Sequence, residues 1–424
     1  MLLRWRLEGS NENSPKGKMK FRQYLTEDAL NLALPTDARS AIIDAGGKIY
    51  QVGGAVRDEM LGKVSKDLDL LVVGVELKDL ARTLTRFGKT NLVGKAFGII
   101  KFTPTGSDEE IDISIPRIDS KSTGKGHKDF EVKLGKGITL QQDQLRRDFW
   151  MNAMARDIET GELHDIEGKG RVDIENQMVR AIGNQAFKDD PLRMLRAIQF
   201  AARFDFTIES ETMKQIKKNV RLIKTVSEER LQEEFRKMFE KGTPSIGVNL
   251  LKETGILRQL FSKASGNFPI EYDKLDKKAF PAFLAILLKE HTPKDIQKKM
   301  RLAKIDMKAV SDVINYSTST DVNSEVGLVN FLTTATPAGI SNIEAYLETS
   351  RQSSISDRLN QMKRAKKPTN IRELEIGGRD LAKAGFKGRE IGNALGYLLN
   401  YAIENGKNDK KHLLDVAKNK YDKS

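Results

Sequence analysis

Cysteine is missing from all 424 residues, which excludes disulfides and thiolate metal sites. A chain without thiols to oxidise is expected in a reducing cytoplasm. Long apolar runs are missing as well: no stretch approaches the roughly 18 residues that a bilayer crossing needs. The opening MLLRWRLEGSNENSPKGK turns polar too soon for a signal peptide, so residues 1–20 read as a flexible basic arm, with order expected from about Phe21. Internal repeats and low-complexity tracts are absent, which argues against a solenoid. What the chain has in excess is charge. Charged residues make up 31% of the sequence and the net charge is +13, a balance that points to a polyanionic partner such as nucleic acid.

The length implies two to four compact units. From Lys48 to about Ile115, short β-branched runs (KIYQV, LDLLVV, FGIIKF, EEIDISI) alternate with helical stretches such as Leu77 to Phe87. After about Asp189 the periodicity is helical, as in DPLRMLRAIQFAARF, ERLQEEFRKMFEKG and the stretch from Phe280 to Leu288. The pattern predicts an α+β fold in which a mixed-sheet head is followed by an all-helical remainder. Expected boundaries are a head over 21–173, a helical neck over 174–245, a body over 246–350 and a tail over 351–424.

Within KDLDLLVV, Asp67 and Asp69 stand two apart in a predicted strand and so share a face, while Leu68 and Leu70 take the other. Neighbouring carboxylates repel unless a cation lies between them. All-oxygen ligation selects Mg²⁺ or Mn²⁺, and Mg²⁺ commonly shares its remaining positions with phosphate and water. Asp112 in EEIDISI alternates with Ile111 and Ile113, which makes it a third candidate carboxylate for a two-metal transfer. Read alone, Asp-x-Asp is more often an edge-strand decoration or a turn-proximal pair. The segment VGGAVRD shifts the balance, because Gly53 and Gly54 let backbone N–H groups approach a phosphate closely, and Arg57, about one turn on, can reach the same anion.

These segments, VGGAVRDEMLG followed by KDLDLLVVG, then PRIDSKSTGKGHKDF, RRDFWMNAMARD and DDPLRMLRAIQFAARF, resemble in order the signature of the class II tRNA nucleotidyltransferase and bacterial poly(A) polymerase family. The similarity runs from about residue 48 to 240, and it returns in IGGRDLAKAGFKGREIGNALGYLL near the end. The resemblance implies a polymerase-β-like nucleotidyltransferase head. It makes Asp67 and Asp69 metal ligands assisted by Asp112, and it assigns Gly53, Gly54, Arg57 and Asp58 to the nucleotide. Two Mg²⁺ ions are the expected cofactor, and a tRNA 3′ end, CTP and ATP the expected partners, with no membrane and no protein partner deducible.

The remaining motifs carry their own chemistry. In RRDF the cations of Arg146 and Arg147 suit a triphosphate, while Asp148 can accept from a ribose 2′-hydroxyl. Asn152, four residues on, shares a face with Asp148 if the segment is helical. Asp190 suits an N-cap and Pro191 the first helical position. Leu192, Leu195, Ile198 and Ala202 then form a buried stripe, which leaves Arg193, Arg196 and Arg203 on another face. Adenine and cytosine both offer an amine donor beside a ring-nitrogen acceptor, so a carboxylate paired with an arginine accepts them and mismatches guanine and uracil. The resemblance places that base-reading pair at Asp190 and Arg193 and a nucleotide contact at Arg196. Gln199 departs from it, standing where relatives commonly carry another arginine.

The segment from Asp119 to Gly137 reads as a mobile loop, which by the resemblance helps a site switch between CTP and ATP. Lys298, Lys299 and Arg301 are candidate RNA contacts, a solvated helix face being the simpler reading. Lys289-Glu290-His291 stands where some relatives carry a His-Asp pair, so phosphohydrolase activity is not expected. WMNAMARD and the tail favour addition of CCA to tRNA. The alternatives are poly(A) synthesis, addition of only CC or only A, or an RNA-binding protein without activity.

Overall fold

The computed structural model describes residues 34–63, 68–93, 98–119, 132–264, 271–350 and 352–421. They divide into two compact units. One comprises the described residues up to Arg193 together with Phe206–Lys218, the other Met194–Asp205 together with those from Asn219 onward.

The first unit is built on a seven-stranded sheet. Its strands are β1 (Lys48–Val52), β2 (Asp69–Val73), β3 (Gly88–Val93), β4 (Ile99–Pro104), β5 (Ile111–Ser114), β8 (Ala155–Asp157) and β9 (Leu163–His164), in the order β3-β4-β5-β2-β1-β8-β9. Only β2 and β5 pair in parallel; every other neighbouring pair is antiparallel. Sequence alternation sets the two faces. Leu70 and Val72 join Ile49, Ile100, Phe102, Ile111 and Ile113 in one core with helices Thr36–Asp44 and Leu77–Leu84, whereas Leu71 turns the other way to Tyr50, Val52 and Ala155. β2 is therefore apolar on both faces, as a central strand should be. Asp69 lies two residues before Leu71 and shares its face. A separate hairpin pairs β6 (Arg117–Asp119) with β7 (Val132–Leu134), while Ser120–Glu131, most of the loop expected to be mobile, lies outside the described residues.

Among the described residues two short strands fall within 174–245, the neck read as helical. Asp205 takes φ 58° after helix Leu192–Phe204, and the chain turns back so that β11 (Thr207–Ile208) pairs in parallel with β10 (Met178–Val179). The physical reason is local: the backbone amides of Thr207 and Glu209 find the carbonyls of Gln177 and Val179.

The second unit is helical throughout. Helix Phe280–Leu287 is buried at every position and packs against helices Lys304–Thr318 and Pro337–Thr349. A further core toward the C-terminus gathers Met362, Leu381, Phe386, Leu398, Ile403 and Leu413. Among the described residues no helix is long and apolar enough to cross a membrane.

Candidate active site

β1 ends at Val52, and Gly53 adopts φ 70°, ψ −131° before helix Gly54–Met60. Only glycine takes that conformation without strain. Two side chains converge over it: a Cβ at Gly53 would lie 3.3 Å from Nη1 of Arg147 and 3.8 Å from Oδ2 of Asp69. Asp69 is the first residue of β2 and is exposed. Directly beside it in the parallel ladder stands Asp112, and beside Asp112 on β4 stands Lys101. Residues opposite one another on neighbouring strands project from the same face, so Asp69, Asp112 and Lys101 form one row.

Asp67 lies outside the described residues. Lys101 Nζ is 3.2 Å from Asp112 Oδ1 and 2.7 Å from Glu110 Oε1, and hydrogen bonds to Glu110 and then Asp112 raise its pKa. Among the described residues no cluster of three or more histidine, aspartate or glutamate side chains is arranged to hold a metal. The donors that are present, an exposed carboxylate at Asp69 with Asp112 beside it, are hard oxygens and fit a divalent cation such as Mg²⁺ in kind.

Behind the turn lies a buried polar chain. The guanidinium of Arg57, a side chain only 4% exposed, donates from Nε and Nη2 to Asp58 Oδ1 and from Nη1 to Asn152 Oδ1 at 2.6 Å. Asn152 in turn donates to Asp148 Oδ1 at 3.0 Å, and the amide of Phe149 donates to the same oxygen. The Asp148–Asn152 contact forms although Trp150–Asn152 is a 3₁₀ turn and not an α-helix. Arg57, expected to meet an anion, thus donates to Asp58 and Asn152, and its Nη2 lies 3.3 Å from where a Cβ at Gly54 would stand, at the same glycine turn.

Asp143 was not among the expected site residues. It is fully buried on helix Leu140–Leu145. Its Oδ1 accepts from Arg146 Nε and Nη2 at 2.9 and 2.6 Å, and its Oδ2 accepts from Arg147 Nη2 at 3.0 Å. Burial works to raise its pKa, but the Arg147 and Arg146 guanidiniums hold it below the ordinary aspartate range. The i, i+3 and i, i+4 spacing to two arginines is the sequence signal that could have found it.

Asp190 accepts from the Leu192 amide at 3.1 Å, as an N-cap does. Arg193 donates from Nη2 to the carbonyl of Arg146 at 2.5 Å, so the proposed base-reading arginine is tied to the turn that carries RRDF. Arg196 belongs to the second unit, where its Nη1 is 3.5 Å from Glu234 and its guanidinium lies over Phe200. Gln199 is 2% exposed, and its Nε2 finds no hydrogen-bond partner among the described residues. Of the candidate basic patch, Arg301 pairs with Glu229 at 2.6 Å.

Residues 49–180 match the family model of the Poly A polymerase head domain, and residues 205–265 match that of the probable RNA and SrmB-binding site of polymerase A. The Multifunctional CCA protein of Nitrosomonas europaea is 37% identical over 225 residues, covering 53% of this chain and 52% of that protein. Over these segments the chain is similar to the class II tRNA nucleotidyltransferase and poly(A) polymerase family. A second relative, the CCA-adding enzyme of Pseudomonas putida, is 34% identical over 226 residues, 52% of this chain and 57% of that one. The chain thus spans about half the length of the curated relatives it matches. Solved structures share the family fold along nearly the whole chain. The CCA-adding enzyme of Bacillus stearothermophilus in complex with CTP superposes with a TM-score of 0.68 at 21% identity, over 91% of this chain and 97% of that one. The Thermotoga maritima CCA-adding enzyme complexed with tRNA gives 0.66 at 22% identity, over 96% of each.

Proposed function

We propose that the protein is a template-independent RNA nucleotidyltransferase that adds CCA to the 3′ end of tRNA from CTP and ATP. In the reaction the terminal 3′-hydroxyl of the RNA attacks the α-phosphorus of the nucleotide, the bond to the bridging oxygen breaks, and pyrophosphate leaves. The observation that carries the reading is the convergence of Asp69 and Arg147 over Gly53, with Asp112 next to Asp69 across the ladder. That arrangement brings an anion-binding guanidinium and an exposed carboxylate to one backbone turn. Curated relatives named for CCA addition support the substrate assignment.

Each residue then has a task. Gly53 and Gly54 offer backbone N–H groups, and Arg147 offers its guanidinium, to the triphosphate. Asp148, held by Asn152 and through it by Arg57, accepts from the ribose 2′-hydroxyl. Asp190 and Arg193 read the Watson–Crick edge shared by cytosine and adenine, with Arg196 as a further nucleotide contact. Asp67 and Asp69 would hold two Mg²⁺ ions with Asp112 assisting, and such ions lower the pKa of an attacking hydroxyl and stabilise a departing pyrophosphate. The neck over 174–245 carries base recognition, and the body and the basic tail hold the RNA backbone. This reading puts the chain in the cytoplasm, alongside tRNA and the nucleotide pool.

The test is product length on a tRNA lacking its 3′ end. CTP and ATP together should extend it by CCA and stop, with GTP and UTP not incorporated. Continued growth on ATP alone identifies a poly(A) polymerase, and binding without incorporation by any nucleotide overturns the enzymatic reading. In the same assay Asp69→Ala should abolish incorporation and leave tRNA affinity nearly unchanged.

A further inference from the structure

We propose that Asp143 is a positioning residue that aims Arg146 and Arg147 at the triphosphate of the incoming nucleotide; the inference rests on the function proposed above. Asp143 touches no substrate position. Its side chain is fully buried, while those of Arg146 and Arg147 are 18% and 17% exposed, so it acts from beneath two cations that reach toward solvent.

The geometry favours an aiming role over a simple ion pair. One carboxylate serves both arginines, each through its own oxygen. It neutralises one of the two positive charges, so that two guanidiniums can stand side by side while one net positive charge remains for an anion. Arg147 is gripped at Nη2, and its Nη1 is left toward Gly53. A planar fork held at one nitrogen has its other donors fixed in direction as well.

The carboxylate is itself immobilised. The Arg117 amide approaches Oδ1 at 3.3 Å. The short helix carrying Asp143 is closed by a capping box between Thr139 and Gln142, and Gln144 Nε2 donates to the His164 carbonyl at 2.8 Å. The same turn also supplies the Arg146 carbonyl to Arg193. Triphosphate-facing and base-facing arginines therefore hang from one buried anchor.

The experiment measures KM and kcat for CTP and ATP on tRNA lacking its 3′ end, together with equilibrium binding of inorganic triphosphate, for the unmodified chain, Asp143→Asn, Arg147→Met and the double variant. Misplacing a positioning group by about an ångström lowers efficiency by up to roughly a hundredfold. Asp143→Asn should raise KM for both nucleotides and weaken triphosphate binding by about tenfold or more, with a smaller change in kcat. In the Arg147→Met background the same substitution should add little, because groups acting through one another are not additive. An unchanged KM in a folded Asp143→Asn, or full additivity with Arg147→Met, overturns the proposal. Should Asp143→Asn fail to melt cooperatively, Asp143→Glu keeps the charge and displaces the carboxylate; it should fold and still show a raised KM, and wild-type kinetics in it would be contradictory. No incorporation by the unmodified chain would refute the proposed function itself, an outcome distinct from any difference among variants.

Discussion

Replacing Asp173 with asparagine should make the protein more stable at neutral pH while leaving it nearly unchanged in acid. Asp173 lies on helix Lys169–Glu175 and is fully buried. Its Oδ1 is 2.7 Å from Arg180 Nη2, yet neither carboxylate oxygen receives a well-directed hydrogen bond among the described residues. Burial pushes its carboxyl from the ordinary 3.8 up to about 6, opposed by Arg180 and assisted by Glu209 and Asp165. A carboxyl whose folded pKa is raised favours the folded state in its protonated form. Its contribution is complete below the unfolded pKa and is lost as pH rises through the folded one.

The shift of about two units corresponds to about 3 kcal/mol lost between about pH 4 and pH 7, at 1.36 kcal/mol per unit. An amide of the same shape has no such loss. Urea unfolding of the unmodified chain and of Asp173→Asn, at half-unit steps from pH 4 to 8, isolates the effect as the difference between the two curves. That difference should grow in favour of the variant with rising pH and flatten near pH 7. A flat difference, or one favouring the unmodified chain at high pH, would show that the Arg180 ion pair outweighs desolvation and refute the reasoning.

Three further substitutions probe the site. Gly53→Ala forces an alanine into a glycine-only conformation, at a strain of about 1–3 kcal/mol, and sets a Cβ 3.3 Å from Arg147 Nη1; melting temperature and CTP affinity should both fall, and an unchanged pair of values counts against the turn as drawn. Arg57→Met removes the partner of Asp58 and Asn152, which should destabilise the first unit by about 3–5 kcal/mol. If enough folds for assay, discrimination of ATP from dATP should drop as Asn152 loosens its hold on Asp148. Asp190→Ala and Arg193→Ala should each relax base choice, and continued rejection of both GTP and UTP by the two variants would remove that pair as the reader.

Two of the strands that carry the site, β4 and β5, were legible because they alternate, whereas β2 was legible as an apolar run behind Asp69. β4 and β5 bury every second residue, so Asp112 could be assigned to the polar face from sequence alone. β3 could not be found that way: as an edge strand it has no fully buried position from Gly88 to Val93, and without a buried face there is no period to read. β8 and β9 are too short for any period. The direction of Arg57 was equally hidden. A basic residue one turn past a glycine pair suits an anion as well as an internal acceptor, and Asn152, its internal acceptor, lies 95 positions away. Asp143 sat in plain view at helical spacing from two arginines, but only burial reveals that one carboxylate serves both.

The central claim is that a nucleoside triphosphate seats its phosphates on the turn at Gly53 and Gly54 beneath Arg147, beside Asp69. A crystal structure of the chain with CTP and Mg²⁺ measures this directly. The account predicts phosphate oxygens within hydrogen-bond distance of Arg147 and the turn amides, the metal on Asp69, and the cytosine edge facing Asp190 and Arg193. A well-ordered CTP bound elsewhere, with that turn bare, would contradict it.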